Sequence, residues 1–212
     1  MGKLVLTGFV TLDGVYQAPG GPREDTRDGF TQGGWTVPYW DDDFGRFVGE
    51  VFDRAGAFLL GRRTYEIFAA YWPGITDPAD PVASRLNSLP KYVATTTALT
   101  DPVWPGATAI HGDLAKEVTA LKERTDGELQ VHGSGALARD LFALDLVDTV
   151  HLLTFPVVLG AGRRLFADGA LPTAFRHTDG RITSRGVSIQ SYDVTGRPRY
   201  GTYESPEATA GP

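Results

Sequence analysis

Hydrophobic positions along the chain follow two different spacings, and each spacing predicts one kind of element. Solid apolar or β-branched runs are typical of strands that are buried on both faces of a sheet. Such runs predict strands at residues 3–11, 57–61, 91–96, 128–132 and 148–155. Elsewhere apolar residues recur every three or four positions, which is typical of helices that pack one face on a core. This second spacing predicts helices at residues 41–55, 63–71, 114–124 and 135–144.

The alternation of these strands and helices predicts the fold class. Such alternation produces a mainly parallel sheet with helices on both faces. After residue 160, the dipeptides Asp179-Gly180 and Arg185-Gly186 are hairpin signals, so we expect antiparallel strands at the C-terminal edge. We therefore predict an α/β fold, a three-layer α/β/α sandwich, as one domain over residues 2–204 with a flexible tail at 205–212.

Residues 12–40 form the longest segment without a regular pattern. The segment holds nine Gly or Pro residues, and a loop of this length inside a compact domain is usually functional. The composition of the loop at residues 15–35 within it fits a mobile lid over a ligand, and it fits equally well a rigid excursion held against the domain. The sequence leaves both alternatives open.

Composition excludes several classes of function. The 212 residues contain no cysteine and four histidines, so thiolate nucleophiles and zinc–thiolate sites are excluded, and we expect no metal site. The formal net charge of −6 disfavours nucleic acid as a partner and requires any bound anion to be held by local donors. The apolar runs are shorter than a membrane helix, and the first residues lack a secretory signal. We therefore expect a cytoplasmic protein with no membrane partner.

Two predicted strand-to-helix junctions carry features of a phosphate site. At the first, Gly61 ends a strand, and the next helix opens with Arg62, Arg63 and Thr64. Free amides and the partial positive charge of a helix N-terminus attract phosphate, and arginines there add charge-assisted bonds. The alternative is a tight turn with two solvated arginines and Thr64 as a cap. At the second, residues 133–138 fit the dinucleotide-binding pattern G-x-G-x-x-A directly after a strand.

A third predicted strand-to-helix junction follows the strand at 148–155. It contains Gly160 and Gly162, and two arginines come directly after them. This junction could position a substrate carboxylate or phosphate, so Gly160 is a candidate substrate contact. The alternative, which we favour, is that both glycines serve only the backbone of the turn.

Polar and aromatic side chains at strand ends are candidates for substrate chemistry. Asp41 lies on the same side of its predicted helix as the buried stripe, so it is the candidate proton donor. An Asp there is more often a helix N-cap. Asp13 follows the first strand and Trp40 could stack on a flat heterocycle, so both are candidate substrate contacts. His132 and His151 are expected to be buried and hydrogen-bonded rather than catalytic.

Five motifs occur in a fixed order along the chain. They are TLDG at 11–14, GRRTYE at 61–66, KYVATT at 91–96, HGSG at 132–135 and PVVLGAGxxLF at 156–166. In this order they resemble the dihydrofolate reductase superfamily, and more closely its branch similar to the C-terminal reductase domain of bacterial riboflavin-biosynthesis proteins. The resemblance covers about residues 2–204.

The resemblance implies a dihydrofolate reductase-like sandwich with NADPH lying across the strand ends. It implies that the turn of Gly61, Arg62, Arg63 and Thr64 wraps the cofactor's phosphates. It places Thr95 and Thr96 near the 2′-phosphate, and Thr7 and Gly8 at the nicotinamide. The loop under the pyrophosphate would be formed by Gly133, Ser134, Gly135, Ala136 and Leu137.

The sequence departs from dihydrofolate reductases at their acidic residue, because Trp40 stands at that position and Asp41 follows one residue later. We therefore expect an NADPH-dependent reductase that transfers hydride to a C=N or C=O of a small dihydrofolate-, pyrimidine- or pterin-like heterocycle. The proton would come from Asp41 or a bound water. One alternative is a catalytically inactive nucleotide-binding or regulatory module on the same fold. Another is a Rossmann oxidoreductase, judged from the Gly133 motif alone. The resemblance also implies a homodimer joined through sheet edges.

Overall fold

The computed structural model describes residues 2–99 and 103–203. Among these residues, one sheet is formed by the strands β1 (Leu4–Thr11), β2 (Ala55–Gly61), β3 (Lys91–Ala94), β4 (Ala107–Ile110), β5 (Glu128–His132), β6 (Thr149–Phe155), β7 (Ala174–Ile182) and β8 (Ser188–Gly196). The helices are α1 (Asp42–Asp53), α2 (Arg62–Tyr71), α3 (Pro81–Ser88), α4 (Leu114–Arg124) and α5 (Gly135–Ala143). The tail predicted at 205–212 lies outside the described residues.

The strands lie in the order β4-β3-β2-β5-β1-β6-β8-β7. The first six are parallel to their neighbours, whereas β8 pairs antiparallel with both β6 and β7. The carboxyl ends of the six parallel strands therefore meet at one edge of the sheet, where open α/β sheets bind ligands. The predicted fold class is confirmed.

Two apolar layers hold the sandwich together, one on each face of the sheet. Adjacent residues of a strand point to opposite faces, so Leu59 joins the layer under α4 and α5, and Phe58 and Leu60 join the layer under α1, α2 and α3. This double burial explains why the central strands are solid apolar runs. The stripe that predicted α1 is buried as expected, at Phe44, Phe47, Val48, Val51 and Phe52.

Some elements differ from the sequence prediction. Helix α3 and strand β4 were not predicted, because α3 buries only Ala83 and Leu86 and β4 is a four-residue edge strand. Gly186, with φ of +82°, lies in the hairpin turn between β7 and β8, as predicted. The other signal was wrong: Gly180 lies inside β7, close to the register shift between His177 and Asp179.

The segment at 12–40 is anchored against the domain by buried polar contacts. The buried amide of Gln17 donates to the carbonyls of Asp25 and Arg27, at 3.2 and 3.1 Å, and accepts from the Arg163 amide at 3.1 Å. The indole of Trp35 donates to the Gln17 carbonyl at 2.8 Å. These contacts favour the held excursion over the mobile lid.

Candidate functional site

Two turns meet at the carboxyl ends of the neighbouring strands β2 and β5. Helix α2 leaves β2 toward one face of the sheet and α5 leaves β5 toward the other, because Tyr65 and Leu137 belong to opposite apolar layers. Divergence of this kind opens a crevice between the two turns, where doubly wound folds bind their ligands. We call the space between residues 61–64 and 133–137 the crevice.

Hydrogen bonds run directly between the two turns of the crevice. The Ser134 hydroxyl accepts from the Gly61 amide at 3.0 Å, and the Thr64 hydroxyl accepts from the Ser134 amide at 3.2 Å. A Cβ atom added at Gly61 would lie 3.5 Å from the Ser134 side chain, so a side chain at this position would be in van der Waals contact with the second turn. The residues predicted from two distant motifs are therefore brought together.

The helices at the crevice are capped differently from the other helices. Among the five α-helices of residues 2–99 and 103–203, α1, α3 and α4 are capped by the side chains of Asp41, Asp80 and Asp113. Neither α2 nor α5 has a side-chain cap: the N-cap residue of α2 is Gly61, and the hydroxyl of Ser134, the N-cap residue of α5, accepts from the Gly61 amide instead. Uncapped first-turn amides leave donors and a positive dipole end for an anion. The alternative in which Thr64 caps its own helix is wrong.

The turn before α5 has a strained backbone. Gly133 and Ser134 both have positive φ, at +58° and +53°, and such a conformation costs a serine about 1–2 kcal/mol. The Gly133 amide donates to the Thr7 carbonyl at 3.3 Å, which joins the turn to the central strand β1. Strain of this kind is typical of functional turns that the surrounding structure holds in place.

The two arginines of the crevice have different surroundings. The Arg62 guanidinium donates to Glu66 at 2.7 Å and to the Ala98 carbonyl at 2.6 Å, so it braces the loop after β3. Arg63 donates to the Glu24 carbonyl at 3.2 Å, and its side chain is 46% exposed. Arg63 is therefore the arginine with more of its surface available to a ligand.

Thr95 and Thr96 follow β3, whose last residue Ala94 pairs with Gly61. Thr96 is exposed, and the Thr95 hydroxyl accepts from the Thr97 amide at 3.2 Å. Their position beside the Gly61 turn puts both threonines at the outer end of the crevice.

Thr7 and Gly8 lie inside β1 and not at its carboxyl end. Thr7 is 4% exposed, and its hydroxyl is buried without a hydrogen-bond partner among the described residues. Gly8 faces the other side of the sheet, where an added Cβ would be 3.0 Å from the Leu165 side chain. Their contact with a nicotinamide stays a prediction.

Asp41 takes the role of an N-cap. Its carboxylate accepts from the Phe44 amide at 2.8 Å, the Arg185 amide at 2.8 Å and the Ser184 hydroxyl at 2.9 Å, and so joins α1 to the β7–β8 turn. Although desolvation raises the pKa of Asp41, hydrogen bonds led by those from the Phe44 and Arg185 amides lower it to about 2. A carboxylate that is ionised at neutral pH is a poor proton donor, so the geometry opposes the catalytic role predicted for Asp41.

The predicted substrate contacts lie near the carboxyl ends of β1 and β6. The Asp13 carboxylate accepts from the Gly160 amide at 2.9 Å and from the Thr11 hydroxyl, and the Thr11 bond contributes most to holding the pKa of Asp13 below its ordinary value. The next element after Gly160 in the described residues is strand β7, so the third junction is a loop rather than a strand-to-helix turn. Gly160 and Gly162 have φ of +74° and +111°, as expected if they serve the backbone. Trp40 is 58% exposed and packs on Phe44, with ring centroids 4.8 Å apart.

His132 and His151 are buried and hydrogen-bonded, as predicted. His132 contacts the Gln130 side chain at 3.0 Å and stacks on Phe52, and His151 contacts Ser191 at 2.8 Å. Burial lowers the pKa of His132 to about 3 and that of His151 to about 4. Both imidazoles are therefore neutral at working pH.

Comparison with known proteins assigns the family. The sequence model described as RibD C-terminal domain matches residues 2–191. The chain belongs to this family. The Bacillus subtilis protein YyaP is 26% identical over 187 residues, which cover 87% of this chain and 91% of YyaP.

The fold of this chain is similar to that of several solved structures. A putative riboflavin biosynthesis protein from Shewanella sp. PV-4 matches 91% of this chain and 99% of its own, with a TM-score of 0.70 and 18% identity. Dihydrofolate reductase from Enterococcus faecalis, complexed with NADP(H), matches 91% and 96%, with a TM-score of 0.55 and 14% identity. At these identities the likeness shows the fold. In the described part of the chain, none of the helices has the length and apolar character needed to cross a membrane.

Sequence reasoning missed one residue at the crevice, Tyr16. Its ring lies against Gly135, at the first residue of α5. No spacing rule connects Tyr16 with Gly135, because the two residues are far apart in sequence. The only signal was the glycine at 135 itself, since glycine disfavours a helix and its presence there calls for another reason.

Proposed function

We propose that this chain is a cytoplasmic, NADPH-dependent reductase that transfers hydride to a C=N or C=O of a small heterocycle. The observation that carries the proposal is the crevice, where the N-termini of two helices without side-chain caps lie side by side and Ser134 and Thr64 form hydrogen bonds between the two turns. Two helix N-termini directed at one space are suited to a pyrophosphate, which carries its charge on two adjacent groups. The family membership and the fold shared with dihydrofolate reductase support the same conclusion.

The residues of the crevice fit the phosphates of NADPH. Amides in the first turns of α2 and α5 would hold the pyrophosphate, and Arg63 would add a charge-assisted bond to the 2′-phosphate. Thr95 and Thr96, at the outer end of the crevice, would contact the 2′-phosphate. Because the formal net charge is −6, this local cluster of donors is what would attract an anion. NADPH supplies the hydride when bound.

The part played by the protein is then orientation and electrostatic stabilisation. Asp41 holds its proton too weakly to act as the acid at neutral pH, so we assign the proton to a bound water. The strained turn of Gly133 and Ser134 fixes the amides of α5 relative to β1. A rigid site of this kind binds the cofactor without reorganising.

Exposed apolar side chains suggest where the heterocycle binds. Leu12, Trp40 and Val158 are each at least 58% exposed and lie near the carboxyl ends of β1 and β6. Strands are about 4.8 Å apart, so β6 is roughly 10 Å from β5 across β1. We propose that a pyrimidine- or pterin-like ring stacks on Trp40 at this end of the sheet.

A catalytically inactive module remains the second candidate. The observation that favours it is the capping role of Asp41, which engages the carboxylate predicted to deliver the proton. Such a module would bind NADPH and fail to oxidise it. The two candidates therefore differ in turnover and not in affinity.

We also propose a homodimer joined through the edge strand β7. This strand is exposed along most of its length, and Phe175 on it lies beside exposed Phe166, with centroids 6.3 Å apart. A long exposed edge with neighbouring apolar rings is a liability for a monomer, and pairing with a second copy would cover it. Light scattering after gel filtration measures the mass, and a monomer at micromolar concentration would contradict the pairing.

Turnover assays test the proposed function. NADPH oxidation is followed by absorbance with a panel of oxidised pterins and pyrimidines, for wild type, Arg63→Ala and the control Arg46→Ala. Arg46 is 61% exposed on α1 and pairs only with Asp43 among the described residues, so its removal should leave the rate unchanged. Arg63→Ala should raise the KM for NADPH about tenfold or more. Oxidation of no substrate by a protein that binds NADPH would favour the inactive module.

A further inference from the structure

We infer that Tyr16 contacts the pyrophosphate of the bound cofactor through its hydroxyl group, an inference that rests on the proposed function. Nothing in the sequence motifs or in the family match assigns a role to this residue. Tyr16 belongs to the irregular segment at 12–40, and its ring lies at the first residue of α5, whereas Arg63 lies on α2.

The position of the Tyr16 ring follows from its contact with Gly135. A Cβ atom added at Gly135 would lie 2.2 Å from the ring carbon that bears the hydroxyl and 2.6 Å from the hydroxyl oxygen. The end of the ring therefore fills the space that a side chain at 135 would need. Since Gly135 is the first residue of α5, the hydroxyl lies beside the uncapped first turn of that helix.

The backbone around Tyr16 holds the ring in this place. The Tyr16 amide donates to the Arg163 carbonyl at 2.9 Å, and Val15 forms a β-bridge with Arg164. The Val15 amide donates to the Thr11 hydroxyl at 2.9 Å, and the ring packs against the apolar layer under α4 and α5. A side chain fixed on both its backbone and its ring loses little entropy when it binds a ligand.

The Tyr16 hydroxyl is available as a donor. It makes no hydrogen bond to the residues that the structure describes, although most of the ring is covered. Desolvation is the main reason that the pKa of Tyr16 is raised above its ordinary value, although the charge of Arg163 opposes the shift, so the phenol keeps its proton at neutral pH. A phosphate oxygen bound by the first-turn amides of α5 would lie beside this hydroxyl and could accept its hydrogen bond.

Two variants separate contact from obstruction. Tyr16→Phe keeps the ring on Gly135 and removes only the hydroxyl, whereas Tyr16→Ala removes the ring. Calorimetry measures their affinity for NADPH, NADH and inorganic pyrophosphate, and Tyr71→Phe is the matched control because Tyr71 is 60% exposed at the far end of α2. Thermal unfolding of each variant checks that the fold is retained.

The pyrophosphate group is common to NADPH, NADH and inorganic pyrophosphate, so Tyr16→Phe should weaken the binding of all three by the same factor, about tenfold. Because we place Arg63 at the 2′-phosphate, Arg63→Ala should weaken the binding of NADPH more than that of NADH, so the two variants leave different signatures. Unchanged binding in Tyr16→Phe would overturn the role of the hydroxyl and leave the reductase proposal standing. Tighter binding in Tyr16→Ala would show that the ring obstructs the site. If wild type binds none of the ligands, the proposed function itself fails.

Discussion

Acid should destabilise this protein at pH values well above those at which its carboxylates become protonated, because two histidines are buried in the neutral form. His132 is enclosed between Gln130 and Phe52, and His151 contacts Ser191 and Arg54. Desolvation is the main cause that lowers the pKa of His132 to about 3 and of His151 to about 4. In the unfolded chain both titrate near the ordinary value of about 6.5.

The sign and size of the effect follow from proton uptake. Below about pH 6.5 the unfolded chain binds two protons that the folded chain does not, so stability falls as the pH falls. Each histidine should remove about 2 kcal/mol between neutral pH and about pH 5, so the pair removes about 4 kcal/mol. That is a large share of the 5–15 kcal/mol by which domains are typically stable.

Urea unfolding followed by tryptophan fluorescence, from pH 7.5 to 5, measures this dependence. The free energy of unfolding should fall with a slope approaching about 2.7 kcal/mol per pH unit. His132→Phe, which keeps the aromatic contact with Phe52, should halve that slope, and His177→Ala, at an exposed position, should leave it unchanged. A free energy that stays constant to within about 1 kcal/mol from pH 7.5 to 5 would refute the reasoning.

Three further substitutions have distinct expected outcomes. Asp41→Ala removes the cap of α1 and the hydrogen bonds from α1 to the β7–β8 turn, so the melting temperature should fall while NADPH oxidation persists. Complete loss of turnover in a folded variant would restore the catalytic role of Asp41. Gly135→Ala should lower the free energy of unfolding by about 1–3 kcal/mol, because the added methyl group overlaps the Tyr16 ring. In a double-mutant cycle, Tyr16→Ala should relieve that loss, and independent effects of the two substitutions would show that the residues do not touch. Ser134→Ala removes the acceptor of the Gly61 amide, so the free energy of unfolding should fall by about 1 kcal/mol and calorimetry should show weaker nucleotide binding. Unchanged affinity would show that this hydrogen bond does not contribute to the nucleotide site.

Local patterns were sufficient for most of the fold. The apolar stripe from Phe44 to Phe52 predicted α1 to within a few residues, and the solid run at 57–61 predicted β2. Elements that bury little were missed, because α3 and β4 present almost no apolar face to be read as a pattern. Gly180 was misread, because a glycine at a bulge within a strand has the same local sequence as one in a hairpin turn.

The site depends on contacts between distant parts of the chain. The turns at Gly61 and Gly133 were recognised separately, and their bonds across the crevice depend on β2 and β5 being neighbours, which local sequence does not specify. The role of Asp41 depends on Ser184 and Arg185 in the same way. For Tyr16, the partner Gly135 is visible only once the segment at 12–40 has been folded onto α5.

The most direct test of the account is calorimetric titration of the wild-type protein with NADPH and NADH at low and high salt. A site made of helix N-termini and Arg63 should bind NADPH more tightly than NADH, and added salt should weaken the binding of NADPH more than that of NADH. Arg63→Ala should reduce that preference, while Arg46→Ala should preserve it. Absence of binding by both nucleotides would contradict the assignment of the crevice as a cofactor site.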